Sequence, residues 1–370
     1  MKITTLTPFI LHVPVTKSVI GDAVHKITHW GMPGVMIGTD EGIVGYGYGG
    51  THADLVTDRL ITTLITDVFG PMLLGEDPCS VQHLYRKLLR SSTNIWVGRG
   101  GLLQLALSAI DIALWDIKAK AAKQPLWRVL GGSPADKVAA YNTDCGWLVR
   151  STPELVDDCK KMVFEKNFGA IKMKIGKPDP REDIRRIEAV RRAIGDDKRL
   201  MVDANGKWDI ATAKQFAPLL ADYDITWFEE PLWHEDVAAH KLLARRINTP
   251  IALGELLYTF DQFREFVQAG AVDYLQPDAT RCGGLTAVWQ IADLGLAFNL
   301  PVTPHHGDMM QAQLHLVMAH PACSLLEYIP WALDCFVDPV VVRDGFYEVP
   351  TAPGAGTTLR TEALERFNVL

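Results

Sequence analysis

The sequence predicts an α/β protein in which a parallel (β/α) barrel follows a separate α+β domain. Two observations predict the barrel: short apolar runs recur along the second part of the chain, and a segment with the apolar spacing of a helix follows each run. A third observation predicts the first domain, because a group of strands precedes a group of helices there. With 370 residues, the chain is long enough for both units.

The first 130 residues fit a two-layer domain of strands and helices. Lys2–Val13 is strand-like, and a hairpin turns at Asp40–Gly42. Three later segments have the apolar spacing of helices: Ala53–Phe69, Val81–Leu89 and Leu102–Ala122. Gly45, Gly47 and Gly50 match the spacing of a dinucleotide-binding loop. Their strand belongs to a hairpin and not to a βαβ unit, so we expect no nucleotide cofactor.

The barrel strands are recognised by the polar residues at which they end. A fully buried parallel strand is apolar on both faces, and a polar side chain at its carboxyl end emerges at the rim, where barrels carry their active sites. The runs end in order at Lys174, Asp203, Glu229, Glu255, Asp278, His305 and Glu327, and from Asp203 onward consecutive ends are 22 to 27 residues apart. That spacing is the length of one strand, one helix and two short loops. Tyr141, near the end of the first strand, is a candidate substrate contact.

Three of these strand ends predict a metal site. Adjacent strands lie about 5 Å apart, so Asp203, Glu229 and Glu255 are expected to converge on one small volume. Three carboxylates in that volume need a cation, and an all-oxygen ligand set favours Mg²⁺, with Mn²⁺ as the other option. The lack of Cys or His among them argues against zinc.

A Lys-x-Lys pair on the preceding strand predicts a general base. Lys172 and Lys174 are two residues apart on a strand, so both side chains leave on the same face. Two ammonium groups in one pocket disfavour each other's charge, which lowers a lysine pKa toward neutrality. Asn205 lies on the same face as Asp203 and is expected to contact a metal-bound substrate.

Composition excludes several classes of partner. The chain is 48% hydrophobic and 22% charged, with a net charge of -7, and this gives no basic surface for nucleic acid. No apolar run approaches the roughly 20 residues that a membrane span needs. The six cysteines are scattered, and the N-terminus lacks the apolar core of a signal peptide. We therefore expect a cytoplasmic protein with reduced thiols and no membrane partner.

The full series, Lys-x-Lys, then Asp, Glu and Glu, then Asp278, His305 and Glu327, resembles the enolase superfamily and within it the mandelate racemase subgroup. The resemblance covers essentially the whole chain. It implies a modified TIM-type barrel of seven or eight strands at 131–330 and an N-terminal capping domain at 1–130. It also implies that 331–370 return to the capping domain, and that the chain forms a homo-oligomer, a dimer or an octamer.

The resemblance also implies roles for the strand-end residues. The metal binds the substrate carboxylate, and Lys174 removes the proton from the α-carbon while Lys172 lies against that carboxylate. His305, oriented by Asp278, stands across the site. Glu327, kept protonated by the neighbouring acids, donates to the other carboxylate oxygen.

Specificity is expected to come from a lid. The segment Thr16–Gly34 has the hydrophobic periodicity of neither a helix nor a strand, and the family's specificity loop lies at this position. Its residues His25, His29 and Trp30 are therefore candidate substrate contacts, and Tyr48–His52 is a second loop that the family uses in this way.

The polar lid favours a small-molecule sugar acid as substrate. We expect dehydration of an aldonate or aldarate, through a metal-stabilised ene-diolate, to the 2-keto-3-deoxy acid. Two alternatives remain open at this point. The first is racemisation, epimerisation or lactone cycloisomerisation of a related hydroxy acid, and the second is a non-catalytic protein that binds sugar acids.

Overall fold

The computed structural model describes residues 1–15, 20–52, 54–134, 137–306 and 310–370. The first four residues of the predicted lid, 16–19, and Ala53 at the start of a predicted helix lie outside these ranges. All six cysteines are free. Among the described residues, no helix combines the length and the apolar character that are needed to cross a bilayer.

The N-terminal domain is a three-stranded antiparallel sheet covered by helices, as the sequence predicts. Its strands are β1 (Ile3–Pro14), β2 (Ile20–Gly21), β3 (Lys26–Ile27), β4 (His29–Thr39) and β5 (Val44–Tyr48). The main sheet has the order β1-β4-β5, and β2 and β3 form a small separate ribbon. The helices are α1 (Asp58–Thr63), α2 (Gly70–Leu73), α3 (Val81–Leu89), α4 (Ser92–Trp96), α5 (Leu102–Ala121) and α6 (Leu126–Val129). A 3₁₀ turn at Leu55–Thr57 precedes α1, and a π-helical segment at Leu64–Phe69 follows it.

The glycines of β5 are explained by the packing of α5 directly on that strand. A Cβ atom on Gly47 would lie 1.9 Å from the carbonyl oxygen of Ala109, and one on Gly45 would lie 2.2 Å from that of Ala113. Only glycine therefore allows the helix to approach the sheet this closely. The Gly-x-Gly pattern in this strand is a packing feature.

The barrel consists of parallel strands that alternate with helices. Its strands are β6 (Ala139–Asn142), β7 (Ala170–Lys174), β8 (Arg199–Asp203), β9 (Ile225–Glu229), β10 (Ile251–Leu253), β11 (Tyr274–Leu275) and β12 (Leu325–Tyr328). Val302 forms isolated parallel β-bridges with Leu275 on one side and with Cys323 on the other, and so occupies an eighth strand position in the barrel. The barrel closes because β12 pairs in parallel with β6, and the predicted TIM-type barrel is thereby confirmed.

Helices cover the outside of the barrel and one layer of side chains fills its interior. The helices are α7 (Thr152–Lys160), α8 (Pro180–Ile194), α9 (Ile210–Phe216), α10 (Val237–Ala244), α11 (Phe260–Ala269), α12 (Leu285–Ala297) and α13 (Gln311–Val317). A π-helical segment at Lys161–Glu165 extends α7, and a 3₁₀ segment at Ala217–Tyr223 extends α9. The interior layer consists of Tyr141, Ala170, Met201, Trp227, Ala252 and Leu325. This layer forms the floor beneath the rim.

The C-terminal segment returns to the first domain. After a 3₁₀ turn at Leu333–Cys335 it forms β13 (Val342–Arg343), β14 (Phe346–Tyr347) and α14 (Thr361–Phe367). Strand β14 pairs with β6. Beyond α14, the side chain of Asn368 accepts a hydrogen bond from the backbone N–H of Ile10 at 3.0 Å, on strand β1. The tail thus completes the capping domain.

One predicted boundary is wrong. We expected an irregular loop to extend to Gly34, but β4 begins at His29 and pairs with β1 along its whole length, from Pro14 opposite His29 onward. The strand was hidden because it is the central strand of the sheet and is buried on both faces, so its side chains do not alternate. Pro33 stands in its middle, where prolines are uncommon in sheets.

Candidate active site

Three carboxylates converge at the carboxyl ends of three neighbouring strands. In the sheet, Lys174 is the register partner of Asp203, and Asp203 is the partner of Glu229. Glu255 joins them through a turn at Gly254, whose φ of +148° and whose close approach to the backbone of Gln276 both require glycine. All three carboxylates are buried, and they offer ligand atoms within 4.8 Å of one another.

The environment of Glu229 favours a cation in this cluster. Burial raises the pKa of Glu229 to about 8; Lys172 opposes this rise and the charges of Asp203, Glu327 and Glu255 add to it. The indole N–H of Trp227 and the amide of Gln276 donate to its Oε2 at 2.9 and 2.7 Å. A divalent ion would allow all three carboxylates to be ionised together, and their oxygens are the ligands that Mg²⁺ prefers.

In this arrangement the neighbouring carboxylates raise the pKa of both lysines, which is the opposite of the predicted lowering. Lys172 contacts Glu229, lies 3.0 Å from Glu327 and 3.6 Å from Asp203, and Lys174 lies 2.5 Å from Asp203. Burial lowers both pKa values, but the surrounding carboxylates raise them by more, to values above that of an ordinary lysine. The repulsion between the two ammonium groups lowers the pKa of Lys174 by less than the charge of Asp203 raises it.

A His–Asp pair stands at the other end of the carboxylate cluster. Nδ1 of His305 lies 2.7 Å from Oδ2 of Asp278, and Nε2 lies 3.1 Å from Glu255. Burial lowers the pKa of His305, but the charges of Glu255, Glu327 and Asp278 outweigh it and raise this pKa to about 9. The imidazolium form is therefore the stable one, with Asp278 fixing the orientation of the ring.

The contacts of Glu327 favour its ionised form over the predicted protonated form. Its described partners all donate: the hydroxyl of Thr143 at 2.5 Å, Lys172 at 3.0 Å and the backbone N–H of His306 at 3.0 Å. Burial raises the pKa of Glu327, but Lys172 and His305 overcome burial and hold it well below its usual range. As an ionised group, Glu327 accepts hydrogen bonds and cannot donate one.

The predicted substrate contacts fall into two groups. Asn205 contacts the metal cluster, and His25 lies close enough to Glu255 for its charge to raise the pKa of His25. His25 forms an ion pair with Asp22 at 3.1 Å; this hydrogen bond raises the pKa of His25, and the charge of Glu255 adds to the rise. Asn205 has a left-handed backbone with φ of +45° and donates its N–H to Asp203 at 2.8 Å. Its buried side-chain oxygen has no hydrogen-bond partner among the described residues.

The other three predicted contacts have neighbours other than the metal-cluster carboxylates. His29 is on the outer part of β4, where its ring contacts Thr28 at 3.2 Å. Trp30 is 1% exposed and belongs to the apolar core of the capping domain. Tyr141 is fully buried in the floor of the barrel, with its ring 5.6 Å from the ammonium group of Lys172. Their roles as substrate contacts stay predictions.

Two supporting residues were missed although the sequence carried their signal. Trp227 and Gln276 each stand two residues before a strand-end carboxylate, so they point to the same face as that carboxylate. Both donate to Glu229 in the structure. The period of two along a strand could have identified them.

Comparisons with known proteins agree with this site. Residues 154–363 match the family model described as enolase C-terminal domain-like, and residues 6–131 match that of the mandelate racemase / muconate lactonizing enzyme N-terminal domain. The chain belongs to the enolase superfamily. It falls in the mandelate racemase subgroup, as the strand-end residues predicted.

Several members of the superfamily are similar to this chain over most of its length. An L-talarate/galactarate dehydratase of Salmonella typhimurium is 41% identical over 294 residues, which are 79% of this chain and 72% of that protein. A 3,6-anhydro-alpha-L-galactonate cycloisomerase of Streptomyces coelicolor is 33% identical over 337 residues, 90% of this chain and 91% of that protein.

Solved structures of the superfamily superpose closely. The Salmonella typhimurium dehydratase liganded with Mg and L-lyxarohydroxamate has a TM-score of 0.92 at 34% identity, covering 100% of this chain and 93% of that chain. A Streptomyces coelicolor racemase with bound magnesium has a TM-score of 0.92 at 31% identity, covering 99% of this chain and 100% of that chain. Both solved relatives bind magnesium, and the triad Asp203, Glu229 and Glu255 gives this chain a ligand set for the same ion.

Lys174 and His305 flank the metal cluster. Lys174 contacts it at Asp203 and His305 contacts it at Glu255. Two ionisable side chains on different sides of one metal cluster are suited to proton transfer at a carboxylate ligand.

Proposed function

We propose that the protein is a Mg²⁺-dependent dehydratase of acid sugars, which converts an aldonate or aldarate to the 2-keto-3-deoxy acid. The observation that carries this proposal is the buried carboxylate triad flanked by Lys174 on one side and the Asp278–His305 pair on the other. Named relatives that dehydrate talarate or galactarate, arabinonate, xylonate and gluconate support the reaction class.

Each residue has a distinct part in the proposed reaction. Asp203, Glu229 and Glu255 would hold Mg²⁺, which would supply positive charge beside the substrate carboxylate. Lys174, as the neutral amine, removes the α-proton. His305, as an imidazolium held by Asp278, gives its proton to the β-hydroxyl, which leaves as water. The resulting enol rearranges to the 2-keto acid.

Lys172 and Glu327 have supporting parts. Lys172 places a positive charge beside the bound carboxylate, and Glu327 holds Lys172 in position through their 3.0 Å ion pair. Asn205 is proposed to contact the substrate through its side-chain oxygen, which the described residues leave without a partner and which accepts a hydrogen bond from a substrate hydroxyl.

The test is a colorimetric assay for 2-keto acids across a library of aldonates and aldarates, with Mg²⁺ and with EDTA. We expect a metal-dependent signal on a small set of sugars. If no acid in a complete library gives keto acid, dehydration is the wrong reaction.

The second candidate is epimerisation, racemisation or cycloisomerisation at the same site. Basic groups on both sides of the substrate favour it, because a proton removed by one can return from the other, and a cycloisomerase is among the relatives. The library in D₂O separates the reactions: deuterium at the α-carbon with inversion and without keto acid identifies an epimerase. Binding without turnover in the wild type, unchanged in Lys174→Ala, would identify a non-catalytic sugar-acid binder.

Three further points stay proposals. We propose domain boundaries at 1–130, 131–330 and 331–370, which limited proteolysis can test. We propose a cytoplasmic location, supported by six free cysteines. We also propose a homo-oligomer, a dimer or an octamer, which sedimentation velocity can test.

A further inference from the structure

Two of the six free cysteines contact each other inside the barrel. Sγ of Cys159 lies 3.7 Å from Sγ of Cys145, and both side chains are buried. Cys145 stands in the turn after β6, where its backbone N–H donates to the side chain of Asn142 at 3.0 Å, and Cys159 stands near the end of α7. The two thiols, called the barrel dithiol here, therefore meet through the packing of one strand–helix unit.

The barrel dithiol is close to the geometry of a disulfide. The sulfurs of a disulfide are about 2.05 Å apart, so the two thiols have to approach each other by less than about 2 Å. A change of rotamer moves a cysteine sulfur through a comparable distance. The two residues are 14 apart in the sequence, so the bond would close a short loop within one chain.

A buried guanidinium beside the dithiol favours a thiolate at Cys159. Burial lowers the pKa of Arg186, on helix α8, and the negative charges around it, among them that of a Cys159 thiolate, oppose this lowering. Nη1 of Arg186 donates to two backbone carbonyls, while Nε and Nη2 have no partner among the described residues. A neighbouring cation stabilises a thiolate, which is the reactive form of cysteine. Cys159 is therefore the sulfur that reacts first.

Cys145 has the environment of the second thiol in such a reaction. Its contact with Cys159 and its burial both raise the pKa of the Cys145 thiol, which keeps this sulfur protonated while Cys159 is reduced. Oxidation of Cys159 removes that contact between two thiols. The sulfur of Cys145 is then the nearest nucleophile to the oxidised atom.

The turn that carries Cys145 supports the strand of the proposed base. The backbone N–H of Lys174 donates to the carbonyl oxygen of Gly146 at 2.7 Å, and the ring of Trp147 lies 5.9 Å from the ammonium group of Lys174. Gly146 packs so closely on β7 that a Cβ atom there would lie 2.0 Å from the carbonyl oxygen of Lys172. A movement of Cys145 is therefore passed directly to the backbone that holds Lys174.

We propose that the barrel dithiol is an oxidation site, which hydrogen peroxide converts to a Cys145–Cys159 disulfide, and that this disulfide slows the enzyme. The oxidation is independent of the proposed function, whereas the effect on turnover rests on it.

The reaction takes two steps. The Cys159 thiolate attacks one peroxide oxygen, an S–O bond forms as the O–O bond breaks, and the departing hydroxide takes up the proton of that thiol as water. The sulfur of Cys145 then attacks the sulfur of Cys159, and an S–S bond forms as the S–O bond breaks. The second oxygen leaves as water with the proton of Cys145. Two electrons have passed from the two sulfurs to the peroxide.

The first experiment maps the bond. The full-length wild type is treated with hydrogen peroxide, its remaining thiols are alkylated, and its peptides are analysed by mass spectrometry without reduction. We expect a cross-linked pair of peptides that contains Cys145 and Cys159, a loss of two of the six free thiols, and their recovery with dithiothreitol. A wild type that keeps all six thiols, or that links other cysteines instead, overturns the proposal.

Two serine variants are matched to this experiment. Cys145→Ser removes the second thiol with little change in side-chain size, so the cross-link should be absent. Cys335 is also buried and lies in the core of the capping domain, so Cys335→Ser should still form the cross-link. Loss of two thiols in Cys145→Ser as well would place the oxidation elsewhere and overturn the proposal.

The rate of the oxidised protein tests the effect on Lys174. Keto-acid formation should fall by about tenfold or more and return with dithiothreitol, because a misplacement of about 1 Å costs up to about 100-fold in rate. Cys145→Ser should keep its rate after the same treatment. A disulfide-bonded wild type with an unchanged rate overturns the effect on turnover. If no acid yields keto acid, the proposed function fails, and the mapped bond still decides the oxidation site.

Discussion

Replacing Asp278 by asparagine is expected to lower kcat by about 10³- to 10⁴-fold with little change in stability. Oδ1 of Asp278 accepts hydrogen bonds from the backbone N–H and the hydroxyl of Thr280, both at 2.7 Å, and Oδ2 accepts from Nδ1 of His305 at 2.7 Å. The new asparagine must keep its oxygen toward Thr280. Turning the amide over would leave buried donors facing an NH₂ group, at about 1–3 kcal/mol each.

The NH₂ group of the asparagine therefore faces His305, and this orientation stops the proposed proton transfer. Nδ1 must become an acceptor, so the imidazolium that donates to the leaving hydroxyl is lost. The pKa of His305 falls from about 9, because burial remains while the partner charge of Asp278 is gone. The expected loss in rate equals about 4–5.5 kcal/mol of barrier at 1.36 kcal/mol for each factor of ten.

The assay compares initial rates of keto-acid formation and thermal midpoints for wild type, Asp278→Asn and Thr280→Ala. Thr280→Ala keeps the carboxylate and removes one neutral donor, so it should lose less than about tenfold in rate. An Asp278→Asn protein that melts like the wild type and turns over within tenfold of it would refute the reasoning about tautomer and charge.

Three further outcomes are expected. Glu255→Gln should weaken Mg²⁺ binding at least about tenfold in calorimetry of the apo protein, because one anionic ligand is lost; unchanged affinity would exclude Glu255 as a ligand. Lys174→Ala should lower keto-acid formation by about 10²- to 10⁴-fold while the protein still binds Mg²⁺. Nδ1 of buried His315 accepts from the backbone N–H of Trp127 at 3.1 Å, and burial lowers its pKa to about 3. The unfolded state therefore takes up the proton first, and between pH 6.5 and 5 the fold should lose about 2 kcal/mol through this group. His315→Gln should show a smaller drop in thermal midpoint over that interval, and an identical drop would contradict the assignment.

The position of the site could be predicted because it depends on local sequence alone. A buried strand must be apolar on both faces, so a charged residue such as Asp203 or Glu229 marks the place where the strand leaves the barrel. Parallel register then brings the ends of neighbouring strands to the same level without further information. The residues at the rim of the barrel can therefore be predicted from the sequence.

The protonation states could not be predicted, because they depend on which partner lies nearest. Lys172 and Lys174 repel each other as expected. Each ammonium group also contacts a carboxylate, and this attraction raises the lysine pKa by more than the repulsion lowers it. The series of strand-end residues places several acids near Glu327, but the groups that contact it are the donors Thr143 and Lys172. Side-chain packing sets such distances, and the spacing of residues along the sequence does not reveal them.

Contacts between the capping domain and the barrel show the same limit. The strands of the barrel fix Lys174, Asp203 and Glu229 relative to one another through one sheet, whereas His52 meets Arg281 through tertiary packing alone. No periodicity relates residues 52 and 281. Since the proton-transfer groups stand on the barrel and the predicted lid stands on the cap, we expect substitutions in the cap to change which acid is accepted while the proton-transfer groups stay in place. The lid residues are therefore where substrate preference within this site is expected to vary.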